Sequence, residues 1–474
     1  MDDLGSKVSY LVAKRGIPVY SSDEVNLGTV VKVLDAPEAD LFDGIVFDTT
    51  PKKPGGHKFV DAPEVEGIYE RGVVLTIDAA AAAKLAKPGK NPGSTTSRAS
   101  PSRASGPRPG TGSPAKADRI HAARLASQGL ATRPARDAAE VAERLLAIQG
   151  QDPRGARLAV RARSEGLAAS DVDRALDERR LIITWVNRGT LHLIRAEDYP
   201  LLHALTTPPL WTSCRTRLRQ TGVGDKADRG VEVVARALED GPRTRAELRD
   251  ALDSADVPTA GQALIHVLFY AGLRGVCVRG PMRGKEHAFV LTRDWLGPAM
   301  GAGWTPERTS PQFVSEGVHP APSRDAFLGE LARRYLVGHG PATAADLARW
   351  AGITLGDARA GLKKIARRVE DLGDGLLDLR KRDDPAPLPP PRLLGAFDPL
   401  LLGWESREAV VGRHKGLVTN NGLFRPFALV KGRAVATWRL PKGKVEIEHL
   451  EAVTRKATKE LERDAREVEA YLAN

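Results

Sequence analysis

Cysteine is nearly absent from this chain: Cys214 and Cys277 are the only two in 474 residues. Two cysteines cannot build a disulfide framework, and alone they cannot complete a four-ligand zinc site. No histidine stands in an HExxH or similar ligand spacing, so no metal is expected. No run approaches 18 uninterrupted apolar residues, which argues against a membrane-spanning helix. The opening Met1-Asp2-Asp3 is acidic and lacks the cationic-then-apolar order of a secretion signal. These absences predict a cytoplasmic protein with no membrane partner.

What is present is charge, unevenly placed. Residues 1–80 hold 14 Asp/Glu and 8 Lys/Arg, a balance of −6, so with a net charge of +11 for the whole chain the remainder carries +17. A basic body of that size suits a polyanion, because each Lys or Arg meeting a phosphate releases a counterion. The plain alternative is an arginine-rich composition with no such partner. A chain this long also exceeds one ordinary core, so two or more domains are expected.

Residues 1–86 read as strands. Gly16-Ile17-Pro18-Val19-Tyr20, Leu27–Leu34, Gly44–Asp48, Lys58-Phe59-Val60 and Gly72–Ile77 are short β-branched runs separated by Pro, Gly and Asp turns. The pattern resembles a PRC-barrel domain and predicts a small barrel that docks another polypeptide. Residues 87–117 are Pro, Gly, Ser, Thr and Ala with Arg98, Arg103 and Arg108, the composition of a flexible linker.

From 118 to 474 one plan recurs: two or three helices, then a short hairpin. The predicted subdomains are 118–222, 228–300 and 322–382, followed by a β subdomain and terminal helix over 383–474. In the middle copy, helices over 231–238, 244–252 and 259–271 precede strands at 275–279 and 288–291, joined by the basic turn Gly280–Lys285. The third helix places Ala260, Leu264, Val267, Leu268 and Ala271 on one face. The later copy has helices over 325–336, 343–350 and 354–365, with Leu355, Ala358, Leu362 and Ile365 inward and Lys363, Lys364, Arg367 and Arg368 outward. The first copy runs through 119–128, 138–149, 155–164 and 170–179 to a hairpin near 182–194. Strands are predicted at 408–411, 417–419, 427–430 and 434–440, then a helix over 446–471. The fold class is α+β: a small N-terminal β-barrel, three tandem winged-helix subdomains and a C-terminal β subdomain. Helix-turn-helix geometry requires short helices in this order, so that the last can face DNA.

The most specific local feature is Gln149-Gly150-Gln151-Asp152-Pro153. Only six glutamines occur in the chain, so two of them one residue apart is an uncommon pairing. Val141, Leu145 and Ile148 share a helical face, which predicts Gln149 as the last helical residue, Gly150 in the left-handed C-terminal position and Gln151 just beyond. The alternative is that both amides merely cap carbonyls or face solvent. Asp152 reads either as a base that activates water or as a local partner of Arg154. Trp185, Trp350 and Trp404 read as core, and His121, His203, His266 and His287 as structural.

Together with Asn187-Arg188-Gly189-Thr190-Leu191-His192-Leu193, Phe397-Asp398-Pro399-Leu400 and Arg413-His414-Lys415, this motif resembles the AlkZ/YcaQ-type winged-helix DNA glycosylases over nearly all of 118–474. The resemblance implies removal of N-alkylated purines, in some members unhooking of interstrand crosslinks, double-stranded DNA as partner, a nucleoid-associated location and no cofactor. It assigns catalysis to Gln149 and Gln151. Gly150 departs from the larger apolar residue often found between the two. An N7- or N3-alkylated purine already carries positive charge and leaves as a neutral base without an acid. What remains is to hold a water at the anomeric carbon, which a glutamine oxygen can do. The carbonyl end of a 138–149 helix would add partial negative charge there.

Candidate DNA contacts are Arg154, Arg188, His192, Arg413, His414, Lys415 and Arg425. Arg188, Thr190 and His192 alternate on one strand face and read either as lesion- or phosphate-facing or as a polar exterior. Arg413-His414-Lys415 and Arg425 flank Asn420-Asn421-Gly422, a hairpin suited to a groove. Rival readings are a non-catalytic winged-helix regulator and a scaffold that docks through its barrel.

Overall fold

The computed structural model describes residues 16–36, 41–49, 56–61, 64–69, 71–83, 114–132, 135–284, 286–297, 323–380, 387–418 and 424–473, with the isolated residues 4, 85 and 382. The chain divides into two compact units: Met1–Gly106 with Ala260–Ile265 and Val418–Leu423, and the rest.

In the first unit the β-branched runs become β1 (Pro18–Tyr20), β2 (Asn26–Ala36), β3 (Leu41–Asp48), β4 (His57–Asp61), β5 (Val65–Tyr69) and β6 (Gly72–Leu75), followed by α1 (Ala79–Ala83). They form one sheet in the order β4-β3-β2-β1-β6-β5, with β1 and β6 parallel. Val19, Val30, Ile45, Phe47, Val60, Ile68, Val73 and Leu75 make its core. The predicted barrel is corrected here. Closure needs β4 hydrogen-bonded to β5, and among the described residues these two are the unpaired edges. The predicted linker lies outside the described residues up to 113, and Pro114 already begins a helix.

The second unit opens with α2 (Pro114–Ser127), α3 (Ala138–Leu145), β7 (Ile148–Gln149), α4 (Pro153–Arg161), α5 (Ala169–Asp177), β8 (Leu181–Val186) and β9 (Thr190–Arg195). Then come α6 (Tyr199–Thr206), α7 (Trp211–Gln220), α8 (Ala227–Ala237), α9 (Arg245–Ser254), α10 (Ala263–Leu273), β10 (Cys277–Arg283), β11 (Glu286–Leu291) and α11 (Thr292–Leu296). After 323 follow α12 (Arg324–His339), α13 (Ala344–Ala351), α14 (Leu355–Lys364), β12 (Val369–Asp371) and β13 (Leu377–Leu379). The chain closes with β14 (Arg392–Leu394), α15 (Glu408–Val411), β15 (Phe427–Val430), β16 (Arg433–Arg439), β17 (Glu446–His449) and α16 (Arg455–Ala473).

Capping residues set the helix starts. Thr244 and Thr343 close reciprocal boxes with Glu247 and Asp346, and Thr354 caps α14. The helix triplets α8–α10 and α12–α14 lie where the apolar spacing predicts them. Leu355 is the exception: at 40% exposure it faces solvent, because the inward stripe of α14 begins only at Ala358.

A five-stranded antiparallel sheet, β11-β10-β8-β9-β7, organises this unit. The middle hairpin is therefore not a separate wing. It pairs up to Arg283 and Glu286, through much of the predicted turn, and joins β8 through Arg279 and Ile183. The last sheet, β14-β15-β16-β17, carries α16 and α4 on a core of Leu158, Leu393, Val435, Trp438, Leu461 and Val468. Two predictions fail in this region. Residues 408–411 are a helical turn ended by Gly412 at φ +51, and 446–449 is a strand whose Ile447 pairs with Trp438, so the terminal helix starts only at Arg455. Of the predicted strand 417–419, Leu417 ends a 3-10 turn, Val418 makes a single β-bridge and residue 419 lies outside the described residues. No described helix is long and apolar enough to cross a membrane.

Candidate active site

The two glutamines meet, but not at a helix end. α3 begins at the Asp137 cap, buries Ala138, Val141, Ala142 and Leu145, and stops there as Leu146 turns to φ 64. Ile148 and Gln149 then pair with Leu193 and His192 of β9, and the Gly150 amide extends the ladder to Leu191 O at 2.8 Å. Gly150 is not left-handed, so Leu146 takes the position predicted for it. The carbonyl end of α3 is used elsewhere, since Glu143 O accepts from Arg334 Nη2 at 2.8 Å. The helix-end charge expected at Gln149 is therefore not provided, because α3 stops at Leu145.

Gln151 stands at the opposite kind of terminus. Asp152 caps α4, accepting from the Arg154 amide at 2.9 Å, and Pro153 occupies the first helical position. This settles the local partner of Asp152: the Arg154 backbone. Arg154's side chain is exposed beside it. Gln149 is buried, Gln151 half-buried, and Gln149 Nε2 donates to Gln151 Oε1. That bond orients both amides and leaves each a further acceptor lone pair.

Three polar side chains line up across adjacent strands, because Thr184 pairs with His192 and His192 with Gln149. All three are buried, His192 to 2% exposure, which corrects the prediction of an outward-facing His192. Its Nδ1 donates to Thr190 O at 2.9 Å, which leaves Nε2 as an acceptor. Burial, then the charge of Arg188, pushes its pKa down to about 3, so the ring is neutral and makes no ionic phosphate contact. Thr184 was missed by sequence reasoning. Counting back from the Asn187-Arg188-Gly189 connection, where Val186 faces Thr190, would have found it. Thr184 Oγ1, Thr190 Oγ1 and both amide atoms of Asn187 are buried without a partner. Buried polar groups in that condition are rare outside sites that receive water or ligand.

The Phe397-Asp398-Pro399 segment adjoins the same helix. A Cβ on Gly155, in the first turn of α4, would lie 2.4 Å from Ala396 O and 3.2 Å from Asp152 Oδ2. Phe397 is half-buried at φ +56, and its ring centroid is 5.5 Å from that of Phe424. A non-glycine residue held left-handed stores strain, which native structures retain chiefly at functional positions.

The other predicted contacts are dispersed. Arg188 sits in the hairpin turn, not on the strand, and Nη1 donates to Arg349 O at 3.1 Å and to Trp350 O. Arg413 and His414 both reach Glu451, at 2.9 and 3.0 Å, so a phosphate would have to displace that carboxylate. Arg425 is exposed. The Lys415 side chain and the 420–422 turn lie outside the described residues. Trp185, Trp350 and Trp404 are core, and His121, His203, His266 and His287 are buried.

A mixed α+β body with two hydrogen-bonded glutamine amides beside its central sheet narrows the class, and comparison gives the kind: residues 142–471 match the family model for DNA glycosylase AlkZ-like proteins. The chain belongs to the AlkZ-like DNA glycosylase family and is an enzyme that hydrolyses N-glycosyl bonds. The interstrand DNA cross-link repair glycosylase of Streptomyces sahachiroi is 27% identical over 373 residues, 74% of this chain and 94% of that protein. The solved structure of Streptomyces sahachiroi DNA glycosylase AlkZ matches with a TM-score of 0.58 at 24% identity, over 75% of this chain and 96% of that one, which shows a shared fold.

Proposed function

We propose that this enzyme binds duplex DNA through winged-helix units and excises N-alkylated purines, including those in interstrand crosslinks. Gln149 and Gln151 hold the attacking water. The carrying observation is the side-chain hydrogen bond between them, on the edge strand of the central sheet. The C1′–N bond breaks with its electron pair moving to the cationic base, which departs neutral. Water held on the amide oxygens adds to the oxocarbenium carbon and releases its proton to solvent. A neutral His192 fits this scheme, because an imidazolium would repel both the cationic base and the sugar cation. Unmodified purines leave poorly, so a catalyst without a strong acid spares normal DNA. The order α12-α13-α14-β12-β13, a helix triplet followed by its own two-stranded sheet, supports the winged reading. The sheet of residues 18–75, outside the matched region, is proposed to dock another polypeptide.

The test is single-turnover excision of 7-methylguanine and of a crosslinked purine from duplex DNA. Gln149→Ala and Gln151→Ala are each expected to slow release by about 10²–10³-fold, with binding to an abasic-analogue duplex unchanged. Variants as fast as wild type would overturn the assignment.

A further inference from the structure

Three arginines approach one another beside the row Thr184–His192–Gln149. Arg188 comes from the β8–β9 turn, Arg349 from the last turn of α13, and Arg407 from the residue before α15. Their backbones are brought together by α13. At its start, Asp346 Oδ1 accepts from the Glu405 amide at 2.9 Å, which holds the segment that carries Arg407. At its end, the Arg349 and Trp350 carbonyls accept from Arg188, and a Cβ on Gly352 would lie 3.2 Å from the Arg188 amide nitrogen. Arg407 is fixed further by Nε donating to Leu401 O at 2.7 Å, with its guanidinium 5.0 Å from the centroid of Phe424.

No ion pair of any of the three is present among the described residues. The acid on α13, Asp346, is turned to Arg124 and to the Glu405 amide. Arg349 and Arg407 both repel the charge on Arg188, and Arg349 that on Arg407. Arg188 is exposed to solvent in the turn between β8 and β9, although protein surrounds much of its guanidinium. Crowding and repulsion pull it down to about 10, still charged at pH 7. Capping α13 occupies its Nη1 and leaves the rest of the fork to a ligand. Like charges held this closely without a counter-charge destabilise one another until an anion enters.

We propose that Arg188, Arg349 and Arg407 form a subsite for one DNA phosphate, adjacent to the nucleotide whose base is excised. Arg188 links the subsite to the row, because its charge is felt at His192, which faces Gln149. A phosphate there fixes the position of the sugar relative to the water-holding amides. The inference rests on the glycosylase reading but concerns binding, and its failure is separable from a failure at Gln149 and Gln151, which would alter excision and leave binding intact.

The test uses full-length protein and duplexes with a stable abasic analogue, with affinity measured against salt concentration. Arg188 is left in place because it also caps α13. Arg349→Ala with Arg407→Ala should lower the log–log salt slope by about 0.9, the value for one phosphate, and weaken binding at least roughly tenfold. Lysine at both positions should retain the slope. A neutral methylphosphonate next to the abasic analogue should weaken binding to wild type and have no further effect on the double alanine variant. Thermal unfolding at the wild-type temperature shows that the variant is folded. An unchanged slope, a fall of about 1.8, or a methylphosphonate penalty equal to that of wild type would overturn the single-phosphate subsite.

Discussion

Arg163 and Asp398, 235 residues apart, face each other through two hydrogen bonds of 2.8 and 3.0 Å, and neither side chain has any exposure to solvent. The same guanidinium donates to Ala159 O and to Gln128 Oε1, and the same carboxylate accepts from the Leu400 amide at 2.9 Å. Arg161 makes a second such link to Asp464 at 2.7 Å. The C-terminal end of α4 is thereby pinned to the last sheet and to α16, while its N-terminal end presents Gln151. Asp398 thus anchors the end of α4 structurally.

Removing one partner of that pair strands a buried charge. Asp398→Ala should lower stability by about 3–5 kcal/mol, read as a fall in denaturation midpoint. Replacing both residues with apolar ones of similar volume should cost much less. Equal losses in the single and double variants would show that packing, not charge, decides the effect.

Two glycines near the site should respond oppositely. A Cβ on Gly150 would meet Leu193 N at 3.4 Å and Ile183 Cγ2 at 3.7 Å, ordinary contacts, so Gly150→Ala should retain fold and excision. A Cβ on Gly155 would lie 2.4 Å from Ala396 O, where backbone must move. Gly155→Ala is expected to destabilise by about 1–3 kcal/mol and to slow excision by displacing the α4 terminus. Unfolding and single-turnover assays on both variants check the contrast.

Asp152 separates a cap from a base. As a cap it should tolerate Asp152→Asn, since both residues serve well there, while Asp152→Ala should cost about 1 kcal/mol of stability. Excision should follow stability in both. An asparagine variant of native stability with excision abolished would instead make Asp152 the base.

Acid should begin to destabilise the fold near pH 6.5, above the ordinary carboxylate range. Burial lowers His192 and His339 to about 3, and His203, His266 and His287 to about 4. Below the ordinary value near 6.5 the unfolded chain takes up protons that the folded chain refuses, so stability falls as pH drops from there to about 4. Each such histidine contributes at most about 1.4 kcal/mol per pH unit. The denaturation midpoint should be lower at pH 5 than at pH 7.5. A midpoint that held constant or rose on acidification would contradict the buried neutral rings.

Local patterns carried the helix triplets, because caps and apolar spacing act within one helix. The glutamine pair was legible from composition and spacing, but its setting was not. Val141, Leu145 and Ile148 continue a helical stripe, and only pairing with Leu193 and His192 makes 148–149 a strand. Such pairing is non-local and leaves no mark in a short window. Alternation likewise showed that Thr190 and His192 share a face, without showing that the face is covered. The Arg188–Arg349–Arg407 group depends on three distant segments meeting at α13, which no spacing rule reports. Among the described residues β4 and β5 do not pair although they follow one another in the chain, and strand propensity alone does not report which neighbours a strand takes.

The Arg279–Ile183 junction has a consequence for how this protein can change over generations. A helix triplet that ended in a free-standing hairpin could be deleted, duplicated or exchanged as a cassette. Here, excising residues 227–291 would strip β8 of one of its two neighbours and leave a raw strand edge, an invitation to aggregation. Loss of the middle segment as a unit is therefore expected to destabilise the central sheet, whereas point replacement and loop growth leave its pairing intact.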